Sequence, residues 1–469
     1  MAEQLQEISE PAKISLQQQF EQLIAKGDKP AIQEFLNDQH ISDVAGLIYE
    51  NEDLESQIMS NLLIHRAASV FKILDLSEQK KIIKTLPAFK TADLLNHLSA
   101  DDRTDFLEEL PSNVVRELIK LLEPEERKVT LSLLGYPENS IGRLMTPDYV
   151  YVYPHNTVEE VFQTIRKYGK DSETINVIYV INDKGELLDD IRIREFILAP
   201  PDKKVEDLMD ERFTYLNAYD DQETASEVFK MNNRVALPVV SNTKKLLGIV
   251  TIDDILWVAS EEFSEDMQKM GGTEALDEPY LEMPIFKLFK KRITWLVVLF
   301  LGEMLTATAM GYFQDEIAKA VVLALFVPLI ISSGGNSGSQ ASTLIIQAMA
   351  VGEITIADWW RVMRREIFQG LLLGTMLGII GFTRVVVWSQ IFPHLYGAQY
   401  MMVAFTVGFS LVGVVLWGTL SGSMLPMVLK KLGADPAVSS APFVATLVDV
   451  TGLVIYFSVA FIFLKGILL

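Results

Sequence analysis

The chain has 469 residues, enough for several domains, and contains no cysteine. Its formal net charge is −21; from Ile285 onward there are 12 Lys and Arg against 8 Asp and Glu, so residues 1–284 carry −25. This charge disfavours nucleic acid as a partner and attracts cations, and the lack of thiols excludes disulfides and thiolate metal sites. An acidic surface that is only solvated is the alternative on charge alone.

The first segment, residues 1–140, is rich in Leu, Glu and Lys at helical spacing. From about residue 70 it repeats every 24 residues. Two series of leucines are spaced in this way: Leu74, Leu98 and Leu122, and Leu86, Leu110 and Leu134. A charged triplet also recurs, first as Asp101-Asp102-Arg103 and then as Glu125-Glu126-Arg127. A helix, a short acidic turn and a second helix in each unit predict a small α-superhelix.

The acidic turns place carboxylates at the starts of helices. Capping explains such residues, because a helix N-terminus favours negative charge. Binding of a divalent cation is the alternative, and its candidate residues are Asp101, Asp102 and Asp105.

Two segments with a similar order of predicted elements follow, residues 141–203 and 204–262. Each begins with Leu-Met and continues with a strand, an amphipathic helix, an apolar strand, a turn, a short strand and a closing helix. This order resembles a tandem pair of CBS domains, and the second copy matches the family's motif in LPVV and LGIVTIDDI. The resemblance implies that an adenine nucleotide such as ATP binds at the second cleft, with these candidate residues: Pro238, Thr251, Asp253 and Asp254.

The first copy departs from this motif in LDDIRIREFI, where we align Asp190 with the motif's Gly and Arg192 with its Thr. We therefore expect nucleotide binding at the second cleft more than at the first. A purely structural pair that dimerises through its helices is the alternative for both copies.

Residues 263–292 are predicted to form a connecting helix, a bend at Gly271-Gly272 and Pro279, and a basic anchor at the membrane surface. An acidic cluster lies at the start of this segment: Glu261, Glu262, Glu265 and Asp266. The cluster is either a solvated helix face or a regulatory site for divalent cations.

Residues 293–469 contain five segments long enough to cross a bilayer. They are 293–312, 318–346, 366–392, 400–429 and 441–464. Basic residues precede the first, separate the second from the third and follow the fourth, which predicts that these sites are cytoplasmic and that the C-terminus lies outside. The N-terminus lacks the features of a signal peptide, so we expect residues 1–284 in the cytoplasm. Five spans suit a symmetric homodimer with a two-fold pore axis.

The second span contains the polar run PLIISSGGNSGSQAST, which begins at Pro328 and predicts a broken helix lining a hydrated cavity. The candidate pore-lining residues of this run are Gly334, Gly335, Asn336, Ser339 and Gln340. Helix packing through small residues is the alternative. In the third span, Gly370, Gly374 and Gly378 recur every four residues, and we interpret them as a helix contact face.

Two carboxylates lie deep in the spans: Glu303 in the first and Asp449 in the fifth. Ionised groups at this depth mark ion paths, although Glu303 in a helix contact is an alternative. Without Cys, and with His394 the only His after residue 155, a soft-metal site is improbable. Sparse oxygen ligands suit Mg²⁺, which keeps most of its water.

The motifs VPLIISSGGNSGSQASTLII and GADPAVSSAPFVATLVDVTGLVIYF, preceded by a helical domain and CBS domains, resemble the MgtE-type magnesium channels. The resemblance implies a multidomain homodimer: an α-superhelical N domain, α/β tandem CBS domains and an all-α membrane domain of five helices per subunit. It implies that Asp449 is the pore aspartate. The neighbouring pore-helix residues are Ala441, Pro442, Ala445 and Thr446.

The family also implies that cytosolic Mg²⁺ bound by the acidic domains closes the pore, with ATP as a modulator, in the inner cell membrane. Glu303 and Gln347 depart from the family pattern, so a broader carrier for Co²⁺, Ni²⁺ or Mn²⁺, or a proton-coupled one, is the alternative. A zinc enzyme has little support because no His-Glu-x-x-His motif occurs, and we expect no enzymatic activity. A nucleotide-sensing receptor without a pore is a further alternative.

Overall fold

The structure is a computed structural model that describes residues 15–51, 53–276, 280–281, 283–392 and 395–466. Pro279, which was expected in the bend, and His394, which was considered as a metal ligand, lie outside the described residues. The chain divides into two compact units, Met1–Ala259 and Ser260–Leu469.

The first unit begins with ten short helices, which confirms the predicted α-helical N domain. They are α1 (Leu16–Lys26), α2 (Lys29–Asp38), α3 (Ile41–Glu50), α4 (Glu55–Asn61), α5 (Ile64–Lys72), α6 (Leu76–Thr85), α7 (Ala88–His97), α8 (Ala100–Glu108), α9 (Ser112–Ile119) and α10 (Pro124–Leu133). One apolar core runs from Phe20 to Leu122. Each helix is too short to be stable alone, so the stacking of neighbours supplies the stability.

The basic residue of the repeated triplet explains why the repeat exists. The Arg103 side chain, fully buried, donates to the carbonyls of Leu95 and Leu98, eight and five residues earlier, at 3.1 and 3.2 Å. Arg127 donates to the carbonyls at the same offsets, Ile119 and Leu122, at 3.0 and 2.9 Å. Both guanidinium groups therefore satisfy carbonyls at the end of the preceding helix, which would otherwise lack partners.

After α11 (Ile141–Leu144), two three-stranded sheets follow with the predicted element order. The first copy contains β1 (Tyr149–Val152), α12 (Val158–Tyr168), β2 (Thr174–Ile181), β3 (Leu187–Arg192) and α13 (Ile193–Leu198). The second contains β4 (Leu216–Asn217), α14 (Gln222–Asn232), β5 (Ala236–Val240), β6 (Leu246–Thr251) and α15 (Ile252–Met270). In each copy the first pair of strands is parallel and the second antiparallel.

The strand register corrects one alignment. β3 and β6 both begin with Leu-Leu and have six residues, so Asp189, the third residue, takes the place of Gly248, and Arg192 that of Thr251. Asp190 was therefore wrongly aligned with the glycine; it occupies the position of Ile249. The error arose because two consecutive aspartates stand where the motif has one glycine.

Asp190 is a buried carboxylate between the two CBS copies. Its Oδ1 accepts from Arg234 of the second copy at 3.1 Å, while Oδ2 is buried with no partner among the described residues. Burial raises the pKa of Asp190 to about 6, although Arg234 opposes the shift. Its position is the equivalent of Ile249, which packs in an apolar cluster, so an ion pair here replaces an apolar contact.

The second unit contains α16 (Ile285–Tyr312), α17 (Gln314–Lys319), α18 (Val321–Ala324), α19 (Val327–Ala350), α20 (Trp359–Ile391), α21 (Tyr400–Lys431) and α22 (Ala441–Leu464). Five stretches are long and apolar enough to cross a membrane, as predicted. The closing helix of the second CBS copy and the connecting helix are one continuous helix, α15, across the expected boundary at residue 262.

The second span is broken at Leu325-Phe326, between α18 and α19, which confirms the predicted break next to Pro328, whereas the polar run itself is helical. Pro328 lies in the first turn of α19, where its missing N–H costs no hydrogen bond. The predicted glycine contact face of α20 is confirmed: a Cβ at Gly374 would lie 2.8 Å from the Val412 backbone, and one at Gly378 would lie 2.7 Å from the Gly408 carbonyl.

We expect Arg234→Met to lower stability, because it leaves the Asp190 carboxylate buried and unpaired, at a cost of about 3–5 kcal/mol. The thermal unfolding midpoint of the detergent-solubilised protein should fall by roughly 10 °C at pH 8. The loss should be smaller at pH 5, since a carboxyl whose folded pKa is raised is most stabilising when protonated. Arg194→Met, at an exposed site of the first copy, is the control, and Asp190→Leu with Arg234→Met should recover most of the midpoint. Equal midpoints for Arg234→Met and the control would contradict the ion pair.

Candidate functional site

Asp449 lies in the first half of α22. Pro442 lies in the first turn of this helix, a position that favours proline. The carboxylate is half-buried and points toward α19. A Cβ built on Gly335 of α19 would lie 3.7 Å from Asp449 Oδ1 and 3.5 Å from Ala445 Cβ. These are ordinary van der Waals distances, so Gly335 is buried in the contact between α19 and α22, next to the carboxylate.

Hydrogen bonds hold α19 and the start of α22 together. Ser339 donates to the carbonyl of Ala441 at 3.0 Å, and Ser342 donates to the carbonyl of Ser439 at 2.9 Å. The Thr446 hydroxyl donates within α22 to the Pro442 carbonyl at 3.0 Å. The carbonyls of Ala441 and Pro442 also accept the helical N–H groups four residues later in α22, so both lone pairs of each are used within the protein.

The polar run of α19 divides into two faces. Gly334 is buried between Val414 and Val448, so for this residue the packing alternative holds and it does not line a cavity. Asn336 and Gln340 are exposed in the single subunit. Amide side chains exposed inside a membrane span face protein or water, because lipid offers them no partner.

Glu303 lies on α16, beside α22. Its side chain lies next to that of Asp449, so the structure brings the two deep carboxyl groups together. It also borders an open groove of about 520 Å³, with Thr446 and apolar residues of α16. Glu303 is exposed in the single subunit, which is costly for a carboxylate in lipid.

A charged contact joins the end of α15 to the loop before α22. Lys269 forms ion pairs with Glu265, one turn earlier, and with Asp435, the latter at 2.7 Å. Burial raises the pKa of Asp266 to about 6, and Asp435 contributes to the shift. The loop is further fixed because the Asp435 side chain accepts from the N–H of Ala437 at 2.8 Å.

The turn after α15 packs against the start of the Asp449 helix. Gly272 has φ +75°, and a Cβ there would lie 3.3 Å from Pro442 Cγ. The left-handed backbone and the close approach both favour glycine. The expected bend at Gly271-Gly272 is thus present. Glu261 and Glu262 lie earlier on α15.

In the first unit, carboxylates of the helical part meet those of the second CBS copy. Asp101 is buried in the first turn of α8, and its pKa is raised by burial and by Asp254. Burial, followed by the charge of Asp253, raises the pKa of Asp254 to about 7. Asp102 and Asp253 both contact Lys72, at 3.6 and 3.5 Å. We call these four aspartates the cytosolic carboxylate cluster.

Two further residues bear on this cluster. Glu173 has a pKa raised by burial, and Asp102 and Asp253 raise it further while Lys72 opposes them. Asp105, the third candidate of α8, is exposed. Among the described residues, no group of three or more His, Asp or Glu is arranged to hold a bare metal ion. A hydrated cation, which needs wider spacing, is the ligand that the cluster suits.

The candidate nucleotide residues lie at the junction of β6 and α15. The Thr251 hydroxyl donates to both Asp253 and Asp254, the latter at 2.8 Å. Pro238 is buried on β5 opposite Ile249. Asp253 and Asp254 are therefore shared between the candidate nucleotide cleft and the cytosolic carboxylate cluster.

Four charged residues of these sites were missed from the sequence: Lys72, Glu173, Lys269 and Asp435. Asp435 lies in the quoted motif GADPAV, which was a signal for it. Neither lysine belongs to a motif, and each pairs with an acid more than 150 residues away.

Comparisons with known proteins agree with this architecture. The family of the MgtE divalent cation transporters matches residues 327–459, the MgtE intracellular N domain matches 39–139, and the CBS domain matches 141–202 and 205–261. The chain is 36% identical to "Magnesium transporter MgtE" of Thermus thermophilus, over 98% of this chain and 100% of that protein. It is 28% identical to the protein of the same name from Bacillus subtilis, over 88% and 90%.

The first unit is also similar to a solved structure, the cytosolic domain of the Mg²⁺ channel MgtE in complex with ATP. The TM-score is 0.50 and the sequences are 34% identical, over 51% of this chain and 98% of that one.

We expect the contact between the helical part and the second CBS copy to weaken as pH rises in the absence of divalent cations. The pKa values of Asp101 and Asp254 are raised, so the stability that they contribute is present at low pH and is lost as pH rises through about 7. The first thermal transition in EDTA should shift to lower temperature between pH 6 and 8.

Asp254→Asn should reduce this shift, whereas Asp183→Asn, at an exposed turn, should not. A transition that rises with pH over this range would contradict the prediction.

Proposed function

Because the chain belongs to the MgtE family of divalent cation transporters, we propose that it carries Mg²⁺ across the inner cell membrane along a path that passes Asp449. The observation that carries this proposal is the arrangement at mid-membrane. The Asp449 carboxylate lies beside α19 at Gly335 and beside the Glu303 carboxyl group of α16. Oxygen atoms spaced in this way suit the waters of a hydrated Mg²⁺.

The path requires a second subunit. Glu303, Asn336 and Gln340 are exposed polar residues within apolar spans of the single subunit. Such groups are costly against lipid and favourable against a water-filled path. A homodimer places two copies of Asp449 around one ion and so avoids an isolated charge. Its lipid-facing surface is the apolar remainder of the spans, and the C-terminus lies outside the cell.

Cytosolic Mg²⁺ regulates the path. Carboxylates that are close together repel each other, and a divalent cation between them removes this repulsion. We assign this role to two groups: Asp101, Asp102, Asp105, Asp253 and Asp254, and Glu261, Glu262, Glu265 and Asp266. The second group includes Glu265, which is linked through Lys269 to Asp435, six residues before α22 begins, so it is well placed to hold the path closed.

ATP modulates the same equilibrium. The similar cytosolic domain of known structure is a complex with ATP, and Thr251 and Asp254 of this chain lie in the segment that resembles the CBS nucleotide motif. Since Asp253 and Asp254 also belong to the cytosolic carboxylate cluster, a nucleotide there changes how that cluster binds cations.

We expect Asp449→Asn to reduce Mg²⁺ uptake into proteoliposomes by roughly tenfold or more, since each 1.4 kcal/mol of lost stabilisation slows a rate tenfold. The variant should remain folded, because asparagine preserves the volume. Asp315→Asn, on α17, is the matched control and should keep wild-type uptake. Uptake by Asp449→Asn at the wild-type rate would exclude this path.

A proton-coupled carrier is the second candidate, and the closeness of the Glu303 and Asp449 carboxyl groups favours it, because neighbouring carboxylates repel each other unless a cation or a proton lies between them. A channel predicts that an imposed pH gradient, at zero membrane potential, leaves Mg²⁺ uptake unchanged in the wild type and in Glu303→Gln. Uptake that requires the gradient, and loses this requirement in Glu303→Gln, would establish the carrier instead.

A further inference from the structure

Lys72 connects two domains by its charge. It is the last residue of α5, and its Nζ lies 3.6 Å from Asp102 Oδ2 in the helical part and 3.5 Å from Asp253 Oδ2 in the second CBS copy. About a third of its side chain is exposed, so the ammonium is partly withdrawn from water. Ion pairs in such an environment are screened less than surface pairs.

The surroundings of Lys72 are strongly negative. Asp102, Asp253, Asp254 and Glu173 all favour its charged form, and together they outweigh the effect of burial, so its pKa is raised. Arg103, the other cation of this region, is already bound to Glu126, Thr130 and two carbonyls. Lys72 is thus an ammonium placed where carboxylates of two domains converge.

Lys72 neutralises only part of the cytosolic carboxylate cluster. It contacts the outer pair, Asp102 and Asp253. In the inner pair, Asp101 is nine-tenths buried and its Oδ1 has no partner among the described residues. The cluster therefore keeps inner carboxyl oxygens that Lys72 does not contact and that a further cation can bind.

We propose that Lys72 is a permanent counter-cation of the cytosolic carboxylate cluster, which binds the helical domain to the second CBS copy and lowers the Mg²⁺ concentration at which the two domains join. The inference rests on the proposed cytosolic Mg²⁺ sensing and adds to it a component supplied by the chain. Because Lys72 already places a positive charge between the helical domain and the second CBS copy, less Mg²⁺ binding energy is needed to join these two domains.

The test is hydrogen–deuterium exchange of the full-length protein in detergent at fixed pH and ionic strength, titrated with MgCl₂. The readout is protection of peptides from α8 and from the start of α15. Lys72→Met keeps the length of the side chain and removes its charge, and Lys72→Arg keeps the charge. Lys84→Met, at an exposed site on α6, removes the same charge from the same domain and is the matched control.

We expect Lys72→Met to raise the Mg²⁺ concentration at half-protection about tenfold, which corresponds to about 1.4 kcal/mol. Lys72→Arg and Lys84→Met should stay within about twofold of the wild type, a shift of about 0.4 kcal/mol. Unchanged exchange in α22 shows that the variants are folded. A midpoint that is unchanged or lowered in Lys72→Met would overturn the proposal, since a lowered one would show that Lys72 competes with Mg²⁺.

The same titration separates this proposal from the proposed sensing. If wild-type exchange does not respond to Mg²⁺, cytosolic sensing by this cluster fails, and Lys72 is then judged on the Mg²⁺-free samples. There, weaker protection in Lys72→Met than in Lys84→Met supports the counter-cation, and equal protection in the two variants refutes it.

Discussion

A carboxylate that leaves water needs a positive partner, a hydrogen-bond donor or a proton, and this requirement governs the charged contacts of the molecule. Asp190 forms an ion pair with Arg234 between the CBS copies. Lys72 forms ion pairs with Asp102 and Asp253, and Lys269 forms one with Asp435. Each pair joins elements that are distant in sequence. Asp449 differs, because the group beside it is another carboxyl group, Glu303, and the proposed Mg²⁺ would supply the positive charge.

Features that are encoded locally could be predicted from the sequence. The five spans follow from the lengths of apolar segments, and the helical repeat follows from a 24-residue spacing whose cause, the Arg103 and Arg127 contacts, lies within ten residues. The element order of the CBS copies followed from their strand and turn patterns. The role of Asp449 stays a prediction, which required only its charge and its depth in an apolar segment.

The features that were missed depend on contacts between distant residues or on register. The ion pairs of Lys72 with Asp253 and of Lys269 with Asp435 form only when the chain folds. No spacing in the sequence predicts either pair. The alignment of Asp190 failed by one position, although the spacing was a usable signal: Gly248 and Thr251 are three residues apart, as are Asp189 and Arg192. The run after Pro328 looked like a helix break because its small polar residues have low helix propensity, which packing against α21 and α22 overrides.

Close packing at glycine residues constrains three of the membrane helices, α19, α20 and α21, more than it constrains α16. Side chains added at Gly338, Gly374 and Gly378 would collide with the α21 backbone, so α19, α20 and α21 touch main chain to main chain and cannot slide without steric clash. Most side chains of α16, in contrast, are exposed in the single subunit. Within the subunit α16, which carries Glu303, is therefore the membrane helix whose movement meets the least steric resistance.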